Sequence, residues 1–317
     1  MKKIVLPGGA GFLGRALTGF FSTRGWDVVV FSRLPRAGNT ARCVAWDGET
    51  LGPWVEEIEG ADVVVNLAGR TVNCRYHPRN RREICESRLR STRVLGEAIA
   101  NAANPPRVWI NSSSATIYRE ARDRAMDEET GEIGNGFSVD VCEQWERELA
   151  NALAPQTRKI ALRSAIVLGP GAGGAFSPFF NVVRFGGGGP MGDGGQFVSW
   201  IHVEDFCRAV EWIIEREELS GAINCASPNP VPNAEFMREL RQASGRRLGL
   251  PATRWMLEIG AFALRTETEL LLKSRRVVPA RLLSSGFAFR FPELHAALTD
   301  LVPRHRAARA TQQRLAA

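Results

Sequence analysis

Short apolar runs alternate along the first half of the chain with longer stretches whose apolar residues recur every three or four positions. The short runs cover residues 3–6, 28–31, 61–67, 107–110 and 160–168. The longer stretches cover residues 13–23, 89–99 and 139–153. Near-continuous apolar runs are typical of strands buried on both faces, and a period of three to four is typical of amphipathic helices. The pattern therefore predicts a parallel sheet with helices on both faces.

This alternation stops in the middle of the chain. Residues 169–174 and 186–195 are rich in glycine and are predicted to be loops, and long loops in compact domains are often functional. One more short strand is predicted at 222–225, and it could rejoin the first sheet. Helices are predicted around 233–243 and 252–264. The expected fold is α/β, a Rossmann-type doubly wound parallel sheet with a smaller, mainly helical C-terminal domain.

Glycines follow the first predicted strand directly and open the first predicted helix. Gly8, Gly11 and Gly14 have the spacing G-x-x-G-x-x-G, with Phe12 and Leu13 between the last two. Glycine permits a tight turn and lets backbone amides approach a pyrophosphate, while the helix N-terminus adds a partial positive charge. We therefore predict that these five residues form a dinucleotide-binding loop. The alternative is a glycine turn that only joins a strand to a helix.

The end of the second strand distinguishes NADP(H) from NAD(H). NAD sites usually carry an acid there, about 20 residues past the glycines, to bind the ribose 2′-hydroxyl. Here the strand ends in Ser32 and Arg33, which can donate hydrogen bonds to a 2′-phosphate and pair with its charge. NADP(H) is therefore the predicted cofactor, and an exposed loop arginine is the alternative interpretation of Arg33.

Two further inferences follow for the rest of this site. The backbone of Leu67, Ala68 and Gly69 ends another predicted strand, and it is expected to face the ligand crevice at the carboxyl edge of the sheet.

The division into domains follows from the same pattern of strands, helices and loops. A dinucleotide-binding domain is expected over residues 1–168 and about 198–226. The substrate-side domain is expected over 169–197 and 227–305, and a tail over 306–317.

Several segments resemble the extended short-chain dehydrogenase/reductase superfamily, which includes the nucleotide-sugar epimerases and dehydratases. They are the glycine loop, Asn-Leu-Ala-Gly at 66–69, Ser-Ser-Ser-Ala-Thr-Ile-Tyr at 112–118, Leu-Arg at 162–163, Leu-Gly-Pro at 168–170 and Ile-His-Val-Glu-Asp at 201–205. The chain is more closely similar to an epimerase-like subgroup whose C-terminal domain has no assigned function. That likeness is carried by Ser87 and Arg88, by residues 200–202 and by residues 279–290.

The resemblance implies a catalytic set of Ser or Thr, Tyr and Lys, with Tyr and Lys spaced Y-x-x-x-K on a helix. In that set a cationic Lys favours the Tyr phenolate, which exchanges a proton with the substrate. Ser114 matches the Ser, but Phe137 and Val141 occupy the other two positions. Tyr118 is the predicted replacement as acid–base group, with a structural tyrosine as the alternative. The only other tyrosine is Tyr76.

Two polar residues are predicted to contact the substrate. Arg163 could meet an anionic group, and the resemblance puts His202 near the substrate loop. A structural ion pair is the alternative for Arg163, and a histidine hydrogen-bonded within a turn is the alternative for His202.

Composition argues against nucleic-acid, metal and membrane binding and indicates where the protein is located. The chain of 317 residues has a net charge of +7, but its basic residues form no aromatic-lined stripe, so no nucleic-acid partner is expected. The six cysteines are widely spaced and no histidine lies at zinc-ligand spacing from them, so no metal site is expected. No apolar stretch approaches the ~18 residues of a membrane span. We therefore expect no membrane partner and a cytoplasmic location.

Two functions remain open. The first is an NADP(H)-dependent oxidoreductase or epimerase that acts on a small-molecule substrate, which could be nucleotide-linked. The second is a non-catalytic NADP(H)-binding sensor or regulatory protein, and the absence of the Tyr and Lys pair motivates it. The resemblance also implies a homodimer through helices around 81–100 and 140–153.

Overall fold

Seven parallel strands form the central sheet of the computed structural model, which describes residues 1–34, 41–253, 255–256 and 273–316. The strands are β1 (Lys3–Pro7), β2 (Asp27–Ser32), β3 (Arg42–Ala45), β4 (Val63–Asn66), β5 (Val108–Ser114), β6 (Arg158–Ser164) and β10 (Gly221–Cys225). Their order across the sheet is β10-β6-β5-β4-β1-β2-β3. This arrangement, with helices on both faces, confirms the predicted Rossmann-type fold.

The remaining elements are helices and short strands. The helices are α1 (Phe12–Ser22), α2 (Pro78–Asn101), α3 (Phe137–Asn151), α4 (Phe176–Arg184), α5 (Val203–Glu215), α6 (Asn233–Ala243), α7 (Ala280–Ser284) and α8 (Leu294–Ala316), with 3-10 turns at Pro53–Glu57 and Ala115–Ile117. The short strands are β7 (Ile166–Leu168), β8 (Phe197–Val198), β9 (Trp200–His202) and β11 (Val231–Pro232). None of the helices within the described ranges is long and apolar enough to span a membrane.

Alternating side chains of the central strands explain why the sheet has a core on each face. Ile4 and Leu6 of β1 belong to an apolar cluster with α1 and α5, whereas Val5 belongs to a second cluster with α2 and α3. Successive side chains of a strand point to opposite faces, so one strand supplies both clusters. Fully burying each such side chain contributes roughly 1.5–3 kcal/mol. The two clusters hold the carboxyl edge of the sheet, where the site lies, in place.

A third apolar cluster joins α4, α6 and α8 in the C-terminal half, with Phe176, Phe236 and Leu298 fully buried in it. The chain reaches this layer by changing sheets, since the run predicted as one strand at 160–168 divides into β6 and β7. β7 pairs with β9 rather than with the main sheet. The segment predicted as a tail continues α8 to Ala316, because its Ala, Arg and Gln residues are good helix formers. Most of the helix predicted at 252–264 falls outside the described residues.

Candidate functional site

The turn from β1 into the first turn of α1 is packed so tightly that Gly8, Gly9 and Gly14 leave no room for a side chain. Gly8 has φ of +74°, and a Cβ there would lie 2.7 Å from the Ala68 backbone. A Cβ on Gly14 would lie 2.2 Å from the carbonyl oxygen of Gly9. At Gly11 the nearest atom would be 3.7 Å away, so space for a ligand remains. The loop therefore brings backbone, rather than side chains, to the edge of the sheet.

The N-terminus of α1 fits a bound pyrophosphate. No side chain caps it and its first turn carries no acid, so backbone N–H groups and the positive end of the helix dipole face the crevice. The Phe12 ring closes one side, since a Cβ on Gly169 would lie 2.7 Å from its Cζ. Arg15 donates a hydrogen bond to the Ala172 carbonyl at 2.9 Å and ties the second glycine loop to the first. The residues present therefore fit a dinucleotide.

The end of β2 carries the two residues predicted to select the phosphate. The Ser32 hydroxyl accepts a hydrogen bond from the Leu34 amide at 3.2 Å, which closes a turn. Arg33 is exposed beside it. An exposed guanidinium at this strand end is accessible to a ligand and can bind a phosphate bidentately.

A buried amide network holds the edge formed by Leu67, Ala68 and Gly69. The Asn66 side chain accepts from the Ala68 amide at 3.0 Å and donates to Asn111 Oδ1 at 2.7 Å. Both asparagines are buried, and buried amides that are fully hydrogen-bonded fix one geometry. The sequence placed Asn66 in the segment 66–69 at the crevice but did not identify its partner Asn111, which lies in the middle of β5.

Ser114 lies half-buried at the end of β5, on the crevice side of the sheet. Its Oγ accepts hydrogen bonds from the Thr116 amide at 3.2 Å and from the Thr116 hydroxyl at 3.0 Å. Thr116 Oγ1 is also 3.6 Å from Cys142 Sγ. Burial raises the pKa of the Cys142 thiol, which disfavours a thiolate nucleophile at this position.

Tyr118 is buried, contrary to what an acid–base role requires. Its side chain is 1% exposed, its hydroxyl donates to Asn224 Oδ1 at 3.0 Å, and it accepts from Arg163 Nη1 at 2.9 Å. Burial raises the pKa of this phenol despite the neighbouring guanidinium. A group that exchanges a proton with substrate must reach it, so the geometry favours the structural alternative for Tyr118.

The two predicted substrate contacts also lie in structural networks. Arg163 forms a bidentate pair with Glu146, at 2.9 and 2.8 Å, and both side chains are largely buried. His202 is fully buried and caps α5 by accepting from the Glu204 amide at 3.1 Å, and its Nε2 lies 3.0 Å from Asp300 Oδ2. Burial lowers the pKa of His202. Each side chain is therefore buried and committed to protein partners.

Tyr76 and Arg88 both contact α3, the helix that carries Phe137 and Val141 in place of the Tyr and Lys. The Tyr76 ring packs edge-on against Phe137, with centroids 5.1 Å apart. Burial lowers the pKa of Arg88, and attraction to Cys142 and Tyr76 opposes that effect. An arginine remains protonated under these conditions. The guanidinium also touches the crevice edge, since a Cβ on Gly69 would lie 3.1 Å from its Cζ.

These two residues were not predicted as site residues. Arg88 contributed only to the family resemblance, and Tyr76 only to the count of tyrosines. The loop before α2 brings Tyr76 back over α3, which no local pattern indicates. Arg88 donates to the carbonyls of Arg70 and Ile84, at 3.1 and 2.7 Å, so it is held in position by backbone.

A cavity of about 560 Å³ lies between the second glycine loop, α4 and α8. Its lining includes Asn73, the backbone of residues 171–174, Asn181 and Arg309. This volume lies within the roughly 300–1,000 Å³ of small-molecule sites. Among the residues that the structure describes, no three His, Cys, Asp or Glu side chains come together as a metal site would require.

Comparison with known proteins places this site in a family. Residues 4–226 match the model of the NAD dependent epimerase/dehydratase family, and residues 252–301 match a domain of unknown function, DUF1731. The human epimerase family protein SDR39U1 is 32% identical over 303 residues, which cover 95% of this chain and 99% of the relative. The epimerase family protein YfhF of Bacillus subtilis is 30% identical, with coverage of 95% and 98%.

The fold comparison agrees with the sequence comparison. A crystal structure of human SDR39U1 (isoform 2) with NADPH superposes with a TM-score of 0.84 at 31% identity, covering 95% of this chain and 99% of that one. The UDP-N-acetylglucosamine 4-epimerase of Bacillus cereus shares the fold, with a TM-score of 0.75 at 16% identity, 98% of this chain and 97% of that chain being covered. The resemblance inferred from the motifs is confirmed: this chain belongs to the NAD dependent epimerase/dehydratase family.

Proposed function

We propose that this chain binds NADP(H) at the β1–α1 loop and uses it to reduce or oxidise a small-molecule substrate at a carbonyl or hydroxyl group. Nucleotide-linked substrates are included in this class. The cofactor assignment rests on the uncapped N-terminus of α1, on the exposed Arg33 at the end of β2 and on the human relative crystallised with NADPH. An arginine at this position pairs with the 2′-phosphate that distinguishes NADP from NAD.

The catalytic part rests on the Tyr76 ring packed against Phe137 and on Arg88 at the crevice edge beside Gly69. In our proposal the Ser114 hydroxyl binds the substrate oxygen, and the Tyr76 hydroxyl gives that oxygen a proton during reduction. Arg88 stabilises the phenolate that remains, as a neighbouring cation does, until solvent returns the proton. When bound, NADPH supplies the hydride to the carbonyl carbon. The pair thus replaces the Tyr and Lys that Phe137 and Val141 displace.

A non-catalytic sensor is the second candidate, and the same two substitutions favour it. Phenylalanine and valine can neither transfer a proton nor stabilise a charge. If Tyr76 and Arg88 only support the crevice, the chain would bind NADP(H) without turnover. The following experiment separates the two functions.

We expect the protein to transfer deuterium from NADPH labelled at C4 of the nicotinamide to at least one member of a panel of aldehydes and ketones, with and without phosphate or nucleotide groups. Mass spectrometry of the products is the measurement, with each of the two C4 positions labelled in turn. Transfer from one position only is the expected result, since a bound ring presents one face. Tight NADPH binding without any transfer would contradict the enzyme and support the sensor.

A further inference from the structure

A second cavity lies between the ends of α4 and α6 and the last turns of α8, next to the first cavity, since Arg309 and Gln313 line both. Its volume is about 300 Å³. The polar side chains that line it are Arg184, Ser244, Arg246, Arg306, Arg309 and Gln313. No acidic side chain of the described residues lines this cavity. We call it the arginine cavity.

The four arginines have no carboxylate partner in the part of the chain that the structure describes. Arg306 donates to the Ser244 carbonyl at 2.8 Å, and Arg246 to the Arg184 carbonyl at 3.4 Å. Arg309 donates to a side-chain amide of α4. Each guanidinium has five N–H donors, so most donors remain available. Four cations around one cavity repel one another unless an anion joins them.

Ser244 adds an unsatisfied polar group to the same cavity. Its side chain is buried, with 7% exposed, and its Oγ has no hydrogen-bond partner among the described residues. Buried hydroxyls are nearly always hydrogen-bonded. A hydroxyl that lacks a partner and lines a cavity of cations indicates a ligand with acceptor oxygens.

Most of this cavity lies outside the segments that match known families. Those segments are 4–226 and 252–301, whereas Ser244, Arg246, Arg306 and Arg309 fall between or after them. The two family models therefore do not account for most of the side chains that line the arginine cavity.

We propose that the arginine cavity binds a phosphoryl group carried by a small molecule, as a phosphate monoester or a diphosphate. A phosphate monoester carries roughly 1.5–2 negative charges at pH 7 and offers three strong acceptor oxygens, whereas a carboxylate has one charge and two oxygens. Guanidinium groups bind phosphate oxygens bidentately, and the Ser244 hydroxyl supplies a further donor. This site does not depend on the proposed NADP(H)-dependent activity.

The test is isothermal titration calorimetry with pyrophosphate at fixed ionic strength and with saturating NADPH, so that the N-terminus of α1 is already filled. We expect the double variant Arg306→Ala/Arg309→Ala to weaken binding by about 10–100-fold, since a hydrogen bond to a charged group contributes about 1.5–3 kcal/mol. The matched control is Arg238→Ala/Arg304→Ala, which removes two arginines from α6 and α8 outside the cavity. This control should change the affinity for pyrophosphate less than twofold. The Arg309→Lys variant, which keeps the positive charge, should retain part of that affinity.

Two results would overturn the proposal. One is an absence of pyrophosphate binding by the unaltered protein. The other is an equal loss in the control variant, which would mean that net charge alone attracts anions, as it would an acidic protein surface.

A second titration decides the source of the phosphoryl group. Tighter binding of ribose 5-phosphate than of inorganic phosphate assigns the cavity to an organic phosphate, and equal binding assigns it to free phosphate or diphosphate.

Discussion

Replacing Tyr76 with phenylalanine is expected to lower kcat by about 10²–10⁴-fold, the usual contribution of a positioned acid–base group. The variant keeps the ring that packs against Phe137 at 5.1 Å and loses only the hydroxyl that gives the substrate oxygen its proton. NADPH affinity should therefore stay unchanged, because the dinucleotide loop is not altered. The measurement is steady-state turnover of a substrate found in the deuterium-transfer experiment.

Tyr118→Phe is the matched control, since it removes the same atom from the other tyrosine. That hydroxyl is buried between Arg163 and Asn224, so its loss should reduce stability while kcat changes little. We also expect the pH profile of kcat to change in Arg88→Gln, because the guanidinium that would stabilise the Tyr76 phenolate is removed. If Tyr118→Phe abolished turnover and Tyr76→Phe did not, the assignment of the acid would be reversed.

Replacing Glu146 with alanine is expected to lower the free energy of unfolding by about 3–5 kcal/mol, the cost of leaving a buried charge without its partner. Glu146 and Arg163 are only 17% and 11% exposed in their side chains and form two hydrogen bonds. Glu146 also accepts from the Ser113 hydroxyl at 2.6 Å. Urea unfolding followed by circular dichroism measures the loss.

Glu148→Ala provides the control for this prediction, because Glu148 lies two residues later on α3 and also pairs with an arginine. Its partner Arg93 is 56% exposed in its side chain, and an exposed pair contributes about 0–1 kcal/mol. The two variants should therefore differ by several kcal/mol. Similar losses in both would mean that the Glu146–Arg163 pair is well solvated and does not hold β6 to α3.

The sequence predicted the fold and the dinucleotide loop because both depend on local signals. Continuous apolar runs mark buried parallel strands, and the spacing of Gly8, Gly11 and Gly14 directly after a strand is itself a local motif. The split between β6 and β7 was not predicted, since both halves are equally apolar and only their partner strands differ. Pairing with β9 is a long-range event that the composition of residues 160–168 does not encode.

The catalytic side chains were harder to predict, because their roles depend on burial and on distant partners. Tyr118 was expected to be an acid–base group from its four-residue distance to Ser114, but Asn224 and Arg163 come from β10 and β6 and bury its hydroxyl. Arg163 and His202 were expected to contact substrate for similar reasons. Tyr76, in contrast, reaches α3 through a loop without a recognisable pattern. Sequence spacing predicts neighbours within one element, not neighbours that the fold brings together.

The measurement that tests the central claim most directly is a fluorescence titration with NADPH and NADH of the unaltered protein and of Arg33→Ala. NADPH should bind more tightly than NADH, and the variant should lose about 10–100-fold in NADPH affinity, as expected for a hydrogen-bonded charge pair. NADH affinity should stay the same, because NADH lacks the 2′-phosphate. Failure of both cofactors to bind would contradict a dinucleotide site at the β1–α1 loop. An NADPH affinity that Arg33→Ala does not change would contradict the pairing of Arg33 with the 2′-phosphate.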